Sequence, residues 1–199
     1  MTKHTQEEIV AAHIRAAKIT LEAVLGLGAG FAPMIMVMRG GETVVNICPP
    51  TGDGQTIYQV AQIAADGYWA DEILMVIDTY AAHELINPYT FQPWRRGEME
   101  DLAVNHRGVE RGWVRDAIML LFVSRSGKPE MFTLPYRRAE GGVTWLEDEE
   151  KRSDGYMVAG GMLTRVFEPC GIFPAGKHRP TDAQMQRFLE GLGAEVLAE

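Results

Sequence analysis

Asp78, His83, Glu84 and His106 are the residues whose types and spacing could do chemistry together. A carboxylate beside imidazole suits zinc, iron or manganese, or a simple base-and-orienter pair. Asp78 follows the apolar run Ile73–Ile77, which places it at the carboxyl end of a buried strand, where open α/β sheets put their ligand sites. His83 and Glu84 come within six residues of it, and His106 lies in the irregular sequence beyond. The plain alternative is an Asp that caps a strand end and two exposed loop histidines. His83-Glu84-Leu85-Ile86-Asn87 is a near miss to the zinc-protease pattern. That chemistry needs a second His one helical turn on, and here Asn87 stands in its place with Pro88 behind it. No motif indicates a cofactor. A divalent metal is the one that this cluster would take.

A second set of residues is suited to anions. Gly52-Asp53-Gly54 lies between a strand and a helix start, so its backbone N–H groups could face a phosphate or carboxylate. Arg107 and Arg111 add guanidiniums that grip such groups in a planar fork. Ion pairing of these arginines and Arg115 with Glu110 and Asp116 is the competing explanation. Gly26-Leu-Gly28-Ala-Gly30 has helix before strand, the reverse of a phosphate loop, and reads as a helix end and turn. Trp94, Arg95 and Arg96 form a candidate partner-binding anchor, because Trp and Arg dominate interface energetics. Cys48 and Cys170 have no base or protease signature beside them and read as lone thiols.

The elements that must position these residues begin with an amphipathic helix over 5–25. Thr5-x-x-Glu8 has the form of a capping box. Val10, Ile14, Ala17, Leu21 and Val24 make one apolar seam, and Ile9, Ala12, Ala16, Ile19 and Ala23 make a second. Two seams predict a wide buried stripe, against a sheet or a second subunit. Met34–Met38 and Thr43–Cys48, joined across Gly40-Gly41, predict a β-hairpin with a primed turn. Gln55–Ala65 has helical periodicity, with Gly67 at its stop. The continuous apolar centre of Glu72–Asp78 predicts a strand buried on both faces. Asp116–Ser124, Met131–Tyr136 and Val143–Leu146 read as an antiparallel meander, with the charged run Glu147–Arg152 as a solvated corner. Short helices are expected near Glu98–Val104, over Tyr156–Phe167 and after Thr181-x-x-Gln184, the last facing Met185, Phe188, Leu189 and Leu192 inward.

With 199 residues, 46% hydrophobic and 23% charged, the chain is of ordinary globular make-up and fits a single domain over 1–199. Within it, 33–146 is the expected sheet core and 155–199 a C-terminal helical region. The formal charge is −8, which disfavours nucleic acid and anionic lipid as partners. Between Arg95 and Arg138 nine Lys/Arg face six Asp/Glu, an excess that fits a surface of ion pairs. The two cysteines and eleven methionines suit a reducing, cytoplasmic interior. No apolar run reaches the ~18 residues of a membrane span.

The order of pieces from about 33 to 146 resembles a group of small α/β proteins of actinobacteria and their phages. The likeness lies in the hairpin Met34–Cys48, the helix Gln55–Ala65, the strand Ile73–Asp78 and the strand Ala117–Ser124 followed by Gly127. That resemblance implies a phage or mobile-element origin and brings no activity to any residue. The fold expectation is α/β or α+β, a mixed sheet of five to six strands with helices packed on it. The functional expectation is an accessory or protein-interaction protein that self-associates through helix 5–25. Its rival is a small metal-dependent hydrolase or anion/nucleotide-binding protein with a site at the end of strand 73–78.

Overall fold

The computed structural model describes residues 6–26, 31–50, 54–82, 86–87, 92–93, 114–127, 129–139, 142–154, 165–173 and 180–197. In chain order the elements are α1 (Gln6–Gly26), β1 (Met34–Arg39), β2 (Glu42–Cys48), α2 (Gly54–Gly67), β3 (Glu72–Ala82), β4 (Ile86–Asn87), β5 (Gln92–Pro93), β6 (Val114–Ser124), β7 (Glu130–Ala139), β8 (Gly142–Trp145), β9 (Lys151–Asp154), α3 (Asp182–Gly191) and β10 (Glu195–Leu197). The main sheet runs β10-β2-β1-β3-β6-β7-β8, with β9 also on β7, and β4 pairs separately with β5. Every pairing is antiparallel. The expected mixed sheet of five to six strands is therefore corrected to an antiparallel path of seven, in an α+β arrangement.

The correction has a simple cause. A strand buried on both faces usually belongs to a parallel sheet, but here helices cover both faces of an antiparallel one. Ile35, Val37, Ile73, Met75, Leu121 and Val123 point to the side of α2 and α3. Leu74, Val76, Ile118, Leu120, Phe122, Phe132 and Leu134 point to the side of α1.

The β1–β2 hairpin forms as its sequence dictates. Gly40 and Gly41 have φ of 64° and 83°, and Arg39 pairs with Glu42 across them. Two positive φ values in a two-residue loop define the primed turn that matches strand twist.

On α1 the two apolar seams have different fates. Val10, Ala17 and Leu21 are buried on the sheet. Ala12, Ala16 and Ala23 are exposed, and Ile19 is 67% exposed. The wide buried stripe is thus a narrow one, because a flat sheet touches only one side of a helix. The Thr5 box lies outside the described residues.

On α2, Ile57, Val60, Ala61 and Ala64 are buried as their spacing requires. Gly67 belongs to the helix, where its missing side chain lets Met185 of α3 pack close. The left-handed residue after α2 is Trp69, with φ 58°, so Gly67 is not the stop. Ala70 N–H donates back to Ala65 O at 3.0 Å and closes the helix end.

Thr181 caps α3 with a complete capping box: Gln184 N–H donates to its Oγ1 at 3.3 Å, and its own N–H donates to Gln184 Oε1 at 2.8 Å. Met185 and Leu189 are buried, whereas Leu192 is 45% exposed and does not face inward.

The expected helix at Glu98–Val104 lies outside the described residues, as does most of Tyr156–Phe167, whose described end, 165–167, forms a turn. Beyond β7 the edge is divided: β8 stops at Trp145, a 3-10 turn spans Glu147–Glu149, and β9 resumes at Lys151. Among the described residues no helix is long and apolar enough to cross a membrane.

Candidate functional site

Asp78 does not end its strand. The β3–β6 ladder continues from Glu72↔Ser124 to Ala82↔Val114, so Asp78 sits within it, opposite Ile118. The apolar run stops at Ile77, where Asp78, Thr79 and Tyr80 follow, while the backbone pairing runs on. The strand-end argument for ligand binding, which belongs to parallel sheets, is withdrawn with it.

Alternation places Asp78 on the α1 side of β3, Asp116 on the same side of β6, and Tyr136 and Arg138 on the same side of β7. These four side chains meet. Tyr136 Oη donates to Asp78 Oδ1 at 2.8 Å. Arg138 Nη2 is 3.6 Å from Asp78 Oδ2, and its Nε is 3.8 Å from Asp116 Oδ1. Arg138 Nη2 also reaches Tyr136 Oη at 3.4 Å. Tyr136 is 1% exposed, while the Arg138 side chain is half in solvent. The cluster therefore has one buried end, the phenol, and one open end, the guanidinium.

Its electrostatics follow from that placement. Burial pushes Asp78 up, and the Tyr136 hydrogen bond and Arg138 offset this only in part. Burial likewise pushes Asp116 up against the pull of Arg138. Tyr136 is pushed well above the ordinary phenol range by burial and by the charge of Asp78. It remains a donor at any physiological pH.

Behind the phenol an aromatic path leads to α1. Trp145 meets the Tyr136 ring edge-on at 5.7 Å. Its Nε1 donates to Glu22 Oε1 at 2.7 Å, and Lys18 Nζ lies 5.1 Å from its ring centre. Lys18 in turn pairs with Glu150, just before β9. The arrangement can hold a proton on a carboxyl group and offer a guanidinium to solvent. Among the described residues no group of three or more His, Cys, Asp or Glu is placed to hold a metal ion.

Of the sequence candidates, Asp78 belongs to this cluster and Gly54 opens α2. His83, Glu84, His106, Gly52, Arg107, Arg111, Trp94, Arg95 and Arg96 lie outside the described residues. Asp116 takes Arg138 as its partner, since the adjacent Arg115 points to the other face. Cys48 and Cys170 are free thiols. Burial, with the Glu195 charge, pushes Cys48 up, and Cys170 Sγ donates to Asp66 Oδ2 at 3.3 Å. Neither is activated. Asp116, Tyr136 and Arg138 were missed; the one local signal was the Tyr-x-Arg alternation at 136–138, which puts both on one face.

A second constellation gathers three turns at the other end of these strands. Asp71 N–H donates to Met38 O at 2.9 Å, and Gly40 N–H donates to Asp71 Oδ2 at 3.0 Å. Arg39 Nη1 donates to Tyr68 O at 3.2 Å. Arg125 donates to Ala70 O from Nε at 3.3 Å and from Nη2 at 3.1 Å, and its N–H reaches Asp71 O at 2.8 Å. Arg125 also stacks 4.9 Å from the Phe167 ring centre. Trp69, at the centre of this stitching, is 55% exposed.

Comparison with protein families, with curated proteins and with solved structures finds no match for the chain.

Proposed function

We propose that the chain is a soluble accessory or protein-interaction protein that self-associates through α1. The observation that supports this is Ile19, 67% exposed in the middle of a helix whose other seam is buried. Exposed Ala12, Ala16 and Ala23 extend the apolar strip along the same side. Small residues there let a second helix approach closely. Charge agrees with a second copy as occupant. In an antiparallel pair centred between Lys18 and Ile19, Arg15 of one copy stands level with Glu22 of the other. The same reading takes the protein as cytoplasmic and phage-encoded, on its composition and on the resemblance given above.

Size-exclusion chromatography with light scattering at micromolar concentration tests the proposal. The expected result is an oligomer that Ile19→Glu converts to monomer without loss of fold. A wild-type monomer would sink the self-association.

A second reading has its own support: a small metal-dependent hydrolase or anion/nucleotide-binding protein centred on Asp78. The meeting of Asp78, Asp116, Tyr136 and Arg138 favours it, since two raised carboxyl groups beside a half-open guanidinium are more than a strand needs. A thermal-shift screen against divalent metals, nucleotides and inorganic phosphate decides it. A ligand at a hundredfold excess over its Kd stabilises by about 2.7 kcal/mol. That shift should vanish in Asp78→Ala, and a flat screen removes this reading.

A further inference from the structure

We propose that Met34, Met36, Asn46 and Cys48 form a binding site for a soft monovalent metal ion, Cu(I), on one face of the β1–β2 hairpin. The site shares no residue with the α1 strip or with the Asp78 cluster and depends on neither.

The first observation is register. Ile35 pairs with Ile47 and Met36 with Asn46, so Met34 stands opposite Cys48 where β1 begins and β2 ends. Residues opposite one another share a face, and so do residues two apart on a strand. Met34, Met36, Asn46 and Cys48 are therefore the corners of one patch, facing away from Ile35 and Ile47. Met34 and Met36 pack at the margin of the α1-side core, which fixes that side. The corners lie about 5 Å apart across the strands and about 7 Å apart along them. The unbranched, flexible methionine side chain lets its sulfur close such gaps.

The second observation is the choice of residue. On the other face of the hairpin, Ile35, Val37, Val45 and Ile47 are the β-branched residues that strands favour. This patch instead collects sulfur. Met38, the next residue along, is buried in the core and accounted for by packing. Met34, Met36 and Cys48 are half-buried, so an ion can reach them from solvent. Two thioethers and a thiolate suit Cu(I), whereas zinc takes thiolate, imidazole and carboxylate.

The third observation is an orphaned acceptor. Asn46 Oδ1 is buried and has no hydrogen-bond partner among the described residues. A bound ion beside it accounts for a buried oxygen that nothing else satisfies. Glu195 stands opposite Cys48 on β10, and its charge acts on the thiol. That charge opposes a bare thiolate and favours a cation held against it. Binding breaks the Cys48 S–H bond, forms an S–Cu bond and releases the proton to solvent, with no electron transferred.

The test titrates the full chain with Cu(I), free of oxygen and of added thiols, against a coloured Cu(I) chelator. The expected result is Cu(I) retained at one ion per chain, with a thiolate-to-copper charge-transfer band and weaker binding as pH falls. Met34→Leu and Met36→Leu conserve volume and so keep the fold. Each should weaken binding about tenfold or more, since even the outer supports of a metal site are worth that much. Cys48→Ser should abolish the band. Cys170→Ser and Asp78→Asn should leave band and affinity unchanged, which assigns the ion to the hairpin. Four outcomes overturn the proposal. They are loss of all Cu(I) to the chelator, unchanged affinity in either methionine variant, loss of binding in Cys170→Ser, and displacement of Cu(I) by equimolar Zn(II).

Discussion

Tyr136 on β7 donates to Asp78 on β3 at 2.8 Å, reaching over the whole width of β6. Strands two apart lie roughly 9–10 Å from each other, and a phenol is the side chain long enough to span most of that gap. One hydrogen bond thus ties three central strands on the face that α1 covers.

Removing the phenolic oxygen leaves a largely buried carboxylate short of its donor. Tyr136→Phe should cost about 1–3 kcal/mol in urea denaturation, the range for an orphaned buried acceptor. In a double-mutant cycle with Asp78→Asn, the two changes should couple by more than ~0.5 kcal/mol. Additive effects would show that the bond contributes nothing in solution.

Acid dependence follows from the same pair of aspartates. Burial raises Asp78 and Asp116 above the ordinary 3.8, so the folded state binds their protons more tightly than the unfolded chain. Their contribution to stability is fully present below pH 3.8 and is lost as pH rises through the raised folded values. Asp78→Asn should flatten that fall while keeping an acceptor for Tyr136, and Tyr136→Phe should steepen it. Urea midpoints from pH 4 upward measure both, and an unchanged slope in Asp78→Asn would contradict the burial argument.

Trp69→Gly should raise stability by about 1 kcal/mol, since glycine takes φ 58° without the Cβ clash. Trp69→Ala should not, because alanine keeps the Cβ. Thermal denaturation of the two variants side by side checks the sign.

Leu21 and Ile19 stand two residues apart on α1 with opposite surroundings, at 0% and 67% exposure. Leu21→Ala should cost about 2–5 kcal/mol. Ile19→Ala should stay within about 0.5 kcal/mol at concentrations where the chain is monomeric. Equal effects would mean that both seams are covered in solution.

The parts of the fold written in neighbouring residues were legible. Gly40-Gly41 announced the hairpin, Thr181 and Gln184 the start of α3, and turns at 125–128 and 140–142 the β6–β7–β8 meander. Strand direction was not. The apolar run 73–77 looks the same in a parallel sheet and in an antiparallel one covered by helices on both faces. The length of β3 was hidden too, because pairing with β6 carries it through Asp78, Thr79 and Tyr80, where hydropathy gives no signal. Asp78 was legible as a candidate, but its company was not. Asp116 and Tyr136 lie far along the chain, and only the register of three strands brings them to it. Trp69 was missed for a different reason: Gly67 stood where a stop residue is expected, and packing against Met185 uses that glycine instead.

The division of the sheet's outer edge bears on how the protein behaves when crowded. At one side, β10 offers only Glu195–Leu197; at the other, the 3-10 turn at Glu147–Glu149 interrupts the rail between β8 and β9, with Lys18 fastened to Glu150 beside the gap. A templated stack of strands needs a long, flat row of open N–H and C=O groups, and among the described residues both margins are short or interrupted. Among the described residues, crowding therefore meets only short or interrupted strand margins, which are poor templates for a growing stack of strands.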